Sequence, residues 1–294
     1  MTPIHIPVLL EETLSALDLQ PTDIVVDGTI GYGGHSTAIL EHIPKGHLIG
    51  IDQDPNAIKH CQEKFKTVLN ITLFHGNFSQ LKEAVGDNKP NKILLDLGLS
   101  SFHLDSSERG FSFSRNEVLD MRMNPSLNQK TAADILNNSY KDELIDLFKT
   151  YGDLHNAEKF VDNIIYERKR TPLTHTDPLL ALIKKSFYFK DKRALMMRTY
   201  SQVFQALRIV VNNEFQVLTD CLDQMLDIIK PNGRIAVITF HSGEDRLVKN
   251  WARDHKAQIK KINKHVIQAS QSEIRGNSRA KSAKLRILEK KQLD

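Results

Sequence analysis

The chain has 294 residues, 40% hydrophobic and 26% charged, a composition that fits a soluble globular protein with one large domain or a domain carrying an insert. It has no apolar run of about 18 residues and therefore no expected membrane span, and Met1-Thr2-Pro3-Ile4-His5-Ile6-Pro7 has neither the basic lead nor the apolar core of a secretory signal. The net charge is +4, but residues 249–294 carry thirteen Lys and Arg against four Asp and Glu, so a basic segment follows a mildly acidic body. Such a segment fits either a polyanionic partner, with RNA or DNA first, or a solvated face or tail. Cys61 and Cys221 lie far apart, and the twelve histidines show no paired-ligand spacing. Together these favour a reducing, cytoplasmic compartment and indicate no metal site.

In chain order, apolar residues at Val8, Leu9, Leu14 and Leu17 fall near helical spacing and predict a short helix within 5–19. Asp23-Ile24-Val25-Val26 reads as a buried parallel strand. Asp27-Gly28-Thr29-Ile30-Gly31-Tyr32-Gly33-Gly34-His35-Ser36 follows it, and a helix is expected from Ser36 to His42. Glycines at a strand-to-helix turn let the backbone approach a ligand, and a helix N-terminus favours a polar or anionic group. The dinucleotide pattern G-x-G-x-x-G fails here: read from Gly31 its third position is Ser36, and read from Gly28 its second is Ile30. An acidic residue followed by Gly28, Gly31 and Gly33 is closer to the first motif of S-adenosylmethionine (SAM) methyltransferases. The strand His47–Ile51 then ends at Asp52, where a carboxylate can accept both hydroxyls of a ribose.

Pro55 to Val68 is a predicted crossover helix, Ile71–His75 a third strand leading to Phe78, and Lys92–Gly98 a fourth whose apolar run stops at Asp96. This alternation predicts an α/β fold with a parallel Rossmann-like sheet, ligand-binding at the C-terminal strand ends. It stops at Ser100. Helices are expected at 131–138, 141–150, 156–169 and 177–187, so residues 102–197 read as an all-helical insert with a second basic region, and 1–101 with 198–294 as the sheet domain. Phe204, Leu207, Val211, Phe215, Leu218, Leu222, Met225 and Ile229 predict one long helix from about Tyr200 to Ile229. Arg234–Phe240 is a fifth strand. Ile262–Ile267 and Ala283–Leu288 are candidate further strands, with a polar, basic and mobile stretch expected over 270–284.

The chain resembles the bacterial 16S ribosomal RNA cytosine-N4 methyltransferase family (RsmH/MraW) over nearly its whole length. The likeness rests on His5–Glu12, Asp27–Ser36, Leu95-Asp96-Leu97-Gly98 with Ser100-Ser101, Arg109–Phe113, Leu119–Met123, Phe204–Ile209, Phe240-His241-Ser242 with Glu244-Asp245-Arg246, and Ser278–Arg286. It implies SAM as methyl donor and, as target, the N4 amine of one cytidine in the decoding region of small-subunit rRNA. It also implies a helical insert that recognises RNA and an assembly of one or two copies, with no membrane or metal. Carried over, the cofactor contacts are Gly33, Gly34, His35, Asp52, Phe78, Asp96 and His103. His103 stands where the family usually has Gln, Arg198–Val203 departs from its usual lead into Phe204, and Gly243 replaces a common Leu.

The cytosine N4 lone pair is delocalised into the ring, so a catalyst must position the amine and accept hydrogen bonds from it. Asp96 is the expected acceptor, with Ser100 and Ser101 as possible aids. The Asp/Asn/Ser-Pro-Pro-aromatic signature of other amino methyltransferases is absent after this strand. Arg109, Phe111, Arg122, Arg208, Arg246, Arg279 and Lys284 are the candidate RNA contacts, the cations gripping phosphate. Phe111 and Phe113 can either stack on a base or, the reading favoured by burial tendencies, anchor their loop in the core. Glu244, Asp245 and Arg246 fit a target pocket and a helix N-terminus equally well. A methyltransferase with a diverged nucleic-acid or protein substrate, or a non-catalytic RNA-binding homologue, are the alternatives.

Overall fold

Five short apolar runs form parallel strands: β1 (Ile24–Asp27), β2 (His47–Asp52), β3 (Ile71–His75), β4 (Lys92–Asp96) and β5 (Arg234–Thr239). The computed structural model describes residues 7–98, 108–126, 128–190 and 192–292. With β6 (Ile259–Lys261) and β7 (Lys284–Lys290) the strands make one sheet in the order β3-β2-β1-β4-β5-β7-β6. β7 runs antiparallel to both its neighbours, β5 and β6.

Alternation along each strand sends successive side chains to opposite faces. Val25, Leu48, Leu94, Ala236 and Ile238 pack on one side with Ile39 of α2 (Gly34–His42), Ile43 just after it, and Leu9 and Leu17, the last in α1 (Leu10–Leu17). Val26, Ile49, Ile93, Leu95, Ile235 and Val237 pack on the other with Leu218, Leu222 and Met225 of α10 (Glu214–Ile228) and Val248 and Trp251 of α11 (Ser242–Asp254). Each such side chain contributes on the order of 1.5–3 kcal/mol by leaving water. Helices α3 (Pro55–Lys64) and α4 (Leu81–Val85) complete the crossovers.

The chain divides into two compact units, Met1–Gly98 with Phe215–Asp294, and Leu99–Glu214. The second contains α5 (Ala132–Asn138), α6 (Lys141–Gly152), α7 (Glu158–Arg168), α8 (Thr176–Ser186) and α9 (Arg193–Asn212). These bury Phe148, Phe160, Ile183, Val203 and Leu207 in a core of their own. Asn212 fastens the loop before α5 to α9: its Oδ1 accepts from Met123 N and Asn128 Nδ2 (both 2.8 Å), and its Nδ2 donates to Met121 O (2.8 Å).

Four expectations change. The single helix expected over 200–229 is two, because Asn213 adopts a left-handed conformation (φ 49°) that ends α9 before Glu214 opens α10. The units therefore divide after Glu214, not at residue 197, since Tyr200, Val203 and Leu207 face the helical core. The strand expected at 262–267 lies at Ile259–Lys261, and Ile267 forms only an isolated bridge to Leu285. The stretch expected to be mobile holds α12 (Gln271–Gly276) and a 3-10 turn (Ser278–Ser282). Buried Ala280 and Ala283 anchor it, and Glu273 Oε1 accepts from Leu9 N at 2.7 Å. Among the described residues, no helix is long and apolar enough to cross a membrane.

Candidate cofactor and active site

Strand order reverses at β1, which has β2 on one side and β4 on the other, and a parallel sheet opens a crevice at such a point beyond its carboxyl ends. The loop after β1 is therefore where the glycines matter. Gly31 and Gly33 have φ of 50° and 71°, a region that suits glycine, and a Cβ on Gly31 would meet nothing nearer than Thr29 O at 3.9 Å.

The loop is tied from three directions. Asp27, at the end of β1 and 2% exposed, accepts from Ser36 Oγ (2.6 Å) and Thr29 N (3.2 Å). Burial outweighs both bonds and pushes its carboxyl up to about 6. Asp52, at the end of β2, accepts from Gly31 N (2.8 Å) and Asp54 N (2.9 Å). Burial raises it to about 6 as well, against those two bonds, with Asp54 and Asp27 adding to the rise. From α3, Lys64 Nζ donates to Tyr32 O (3.0 Å) and Gly33 O (2.9 Å), and Cys61 Sγ to Gly31 O (3.2 Å). Neither Lys64 nor Cys61 stood out in the sequence, because they reach the loop only through the packing of α3.

Asp96 ends β4. Its backbone N donates to Thr29 Oγ1 (2.6 Å), which joins the β4 end to the glycine loop. Its carboxyl sits well above the usual range, through burial first and then the charges of Asp27 and Glu244. Oδ2 lies 3.5 Å from His35 Nδ1, whereas Oδ1 is buried with no hydrogen-bond partner among the described residues. His35 Nε2 faces Val8 O at 3.1 Å, an acceptor, so that nitrogen carries the proton and Nδ1 turns its lone pair or a second proton to Asp96. The Nδ1–Oδ2 separation is that of a long polar contact, and Oδ1 stands as an open acceptor. Phe78 begins the 3-10 turn after β3, which Asn77 caps through Ser79 N (2.9 Å). The donor set suits SAM: a carboxylate at the β2 end for a ribose, glycine backbone beside it, and a buried acceptor at the β4 end.

Of the expected site residues, the structure thus brings together Gly33, Gly34, His35, Asp52, Phe78 and Asp96 around the ends of β1 to β4. Ser100, Ser101 and His103 lie outside the described residues. Glu244 is a helix cap: buried in the first turn of α11, it accepts from Phe240 N (2.9 Å) and pairs with His241 Nε2 (3.0 Å). Asp245 holds Arg286 (2.7 and 3.2 Å) and lies 3.7 Å from Lys284 Nζ. Arg246 is exposed and Arg279 half-buried.

In the helical unit the RNA expectations need revision. Phe111 is 5% exposed in the core, so it offers no face to a base, and the loop-anchor reading accounts for it. Phe113 packs edge-on against Tyr200 and Phe204. Arg109 donates to Arg122 O (2.8 Å) and Met123 O (3.1 Å). Arg122 forks onto Asp120 (2.8 and 2.7 Å), and Arg208 onto Glu214 (2.7 and 2.8 Å). These three guanidiniums are engaged in holding the unit together.

The chain is 43% identical over 295 residues to the ribosomal RNA small subunit methyltransferase H of Dictyoglomus turgidum, with 98% of each chain covered. It is 39% identical over 309 residues to the protein of the same name from Heliobacterium mobile, covering 97% of this chain and 98% of that one. Among solved structures, a proposed methyltransferase from Streptococcus mutans in complex with SAH covers 97% of this chain and 99% of its own at a TM-score of 0.50. At 11% identity that likeness bears on the fold alone. The MraW methylase family matches residues 2–291, and the chain belongs to it.

Proposed function

We propose that this protein is a SAM-dependent methyltransferase of small-subunit ribosomal RNA, and that its target is the N4 amine of a cytidine in the decoding region. The observation that carries the reading is the grouping of the glycine loop, Asp52 and the open acceptor Asp96 Oδ1 at the switch point of the sheet, in a chain that belongs to the MraW methylase family. Bound there, SAM supplies an electrophilic methyl group. The residues of the chain do the rest. Asp52 accepts the ribose hydroxyls, with its ionised form fixed by the amides of Gly31 and Asp54. Gly33, Gly34, His35 and Phe78 line the cofactor. Asp96 Oδ1 accepts a hydrogen bond from the amine, which frees its lone pair and stabilises the positive charge that develops on it. His35 lies beside that carboxyl, and Thr29 holds the Asp96 backbone amide. The target base must be unpaired or flipped out to reach such a pocket. Ser100, Ser101 and His103, which follow β4 in the sequence, belong to this proposal.

The test is transfer of labelled methyl from SAM to small ribosomal subunits that lack the modification, with the modified nucleoside identified by mass. N4-methylated cytidine is the expected product. Transfer to another nucleoside would overturn the target, and saturable SAM binding with no transfer to any ribosomal substrate would overturn the enzymatic reading while leaving the cofactor site intact.

A further inference from the structure

In the helical unit, Tyr166 on α7 stands out from the surface at 58% exposure. The Arg170 guanidinium carbon lies 5.9 Å from its ring centre and the Lys185 ammonium 6.0 Å from it. The two cations reach the ring from different elements, Arg170 from just beyond α7 and Lys185 from the last turn of α8. Asn163 Nδ2 donates to Ser186 Oγ at 2.8 Å and fixes one helix against the other, so the arrangement does not depend on a loose loop. Among the described residues neither Arg170 nor Lys185 has a carboxylate partner. Nearby acids are few: Asp162 is paired with Lys141, and residues 166–193 hold eight Lys and Arg against three Asp and Glu.

A bland origin explains part of this surface. Lysines in the last turn of a helix sit well against its dipole, which covers Lys184 and Lys185, and Arg168 is spent on Leu136 O and Ser139 O (both 2.8 Å). It does not cover Arg170, which lies past the helix end, or an exposed tyrosine ring with two cations within about 6 Å of its centre. An aromatic face flanked by cations without counter-ions is what unpaired RNA takes, a base stacking on the ring while adjoining phosphates meet the charges. A double helix offers phosphates but no base face, so the ring favours unpaired RNA.

We propose that Tyr166, Arg170 and Lys185 form a contact site for a single-stranded segment of the RNA substrate. The inference rests on the rRNA methyltransferase reading and adds to it a surface built by α7 and α8. Arg170 and Lys185 belong to the second basic region expected from the sequence, whereas Tyr166 is not among the expected contacts.

The test is binding of the full-length protein to a labelled single-stranded oligoribonucleotide and to protein-free small-subunit rRNA across a salt series. Tyr166→Ala is expected to weaken both by roughly tenfold, and Tyr166→Phe, which keeps the ring, to retain most of the affinity. Arg170→Gln with Lys185→Gln is expected to lower the slope of log affinity against log salt by about 1.4, two phosphate contacts at about 0.7 each. SAM affinity and the thermal midpoint should not change in these surface variants, which separates a lost contact from a lost fold. Unchanged affinity and slope in the double variant overturn the proposal. So does weakened binding to intact subunits with none to protein-free rRNA, which would assign the surface to a protein. Methyl transfer by the unaltered protein is measured beside it: its failure removes the enzymatic reading, and the binding series still decides the surface.

Discussion

Asp27→Asn isolates the electrostatic cost of the glycine loop. Asp27 is 2% exposed, and burial raises its carboxyl from 3.8 to about 6 even though Ser36 and Thr29 donate to it. Between those pH values the folded chain keeps a proton that the unfolded chain has released. The stability this group contributes is therefore fully present below pH 3.8 and is lost as pH rises through about 6. A rise of that size corresponds to about 3 kcal/mol. Asparagine matches the shape and cannot ionise, so the variant should gain on the native protein by about 3 kcal/mol between pH 4 and pH 7.5 and then run parallel to it. Urea unfolding at half-unit pH intervals measures this, read by fluorescence of Trp251, the chain's single tryptophan, buried in the sheet unit. The Asp27 charge also helps to raise Asp52 and Asp96, so both should ionise at lower pH in the variant. A stability difference that does not vary with pH would refute the reasoning.

The Asp52 carboxyl at about 6 predicts that SAM affinity falls as pH drops below that value, because the protonated acid loses its amide donors and one acceptor. Calorimetric titration should record the fall in the native protein, and a loss of roughly tenfold or more without pH dependence in Asp52→Asn. Lys64→Met removes two donors from Tyr32 O and Gly33 O and should weaken SAM by roughly tenfold with little change in unfolding midpoint; unchanged affinity would mean the loop holds its shape without them. Asn212→Ala strands Met123 N and Met121 O in the helical core and should cost about 2–4 kcal/mol, seen as an earlier thermal transition of that unit.

The parallel strands were legible because each is a short apolar run, three of them ending in an acid, Asp27, Asp52 or Asp96, and the order of strands and helices admits few topologies. Four of the five described helices of the helical unit were legible within two residues at each end, whereas α9, expected to begin near Tyr200, begins at Arg193. Periodicity does not say which core a face joins. The apolar stripe from Phe204 to Ile229 continues across Asn213 while the chain passes from the helical core to the sheet, and only a left-handed residue marks the change. Arginines present a similar ambiguity: Arg122 looks like a phosphate contact until Asp120, two residues away, is seen to take its fork. Lys64 and Asn212 act through partners 31 and 91 residues distant, which no local pattern encodes.

The antiparallel β7 lies between β5 and β6, although it follows both in the chain. During synthesis β5 must wait, with one flank of amide and carbonyl groups unpaired, until residues 284–290 arrive, and β6 has no neighbour at all before then. The β4–β5 pairing is itself delayed by the more than one hundred residues of the helical unit, which must be synthesised before the two strands can meet. A nascent chain paused in this interval exposes a strand flank rich in Ile and Val, the kind that recruits other chains. The hazard ends when β7 docks, and chaperone demand for this protein should be concentrated in the time its last thirty or so residues take to appear.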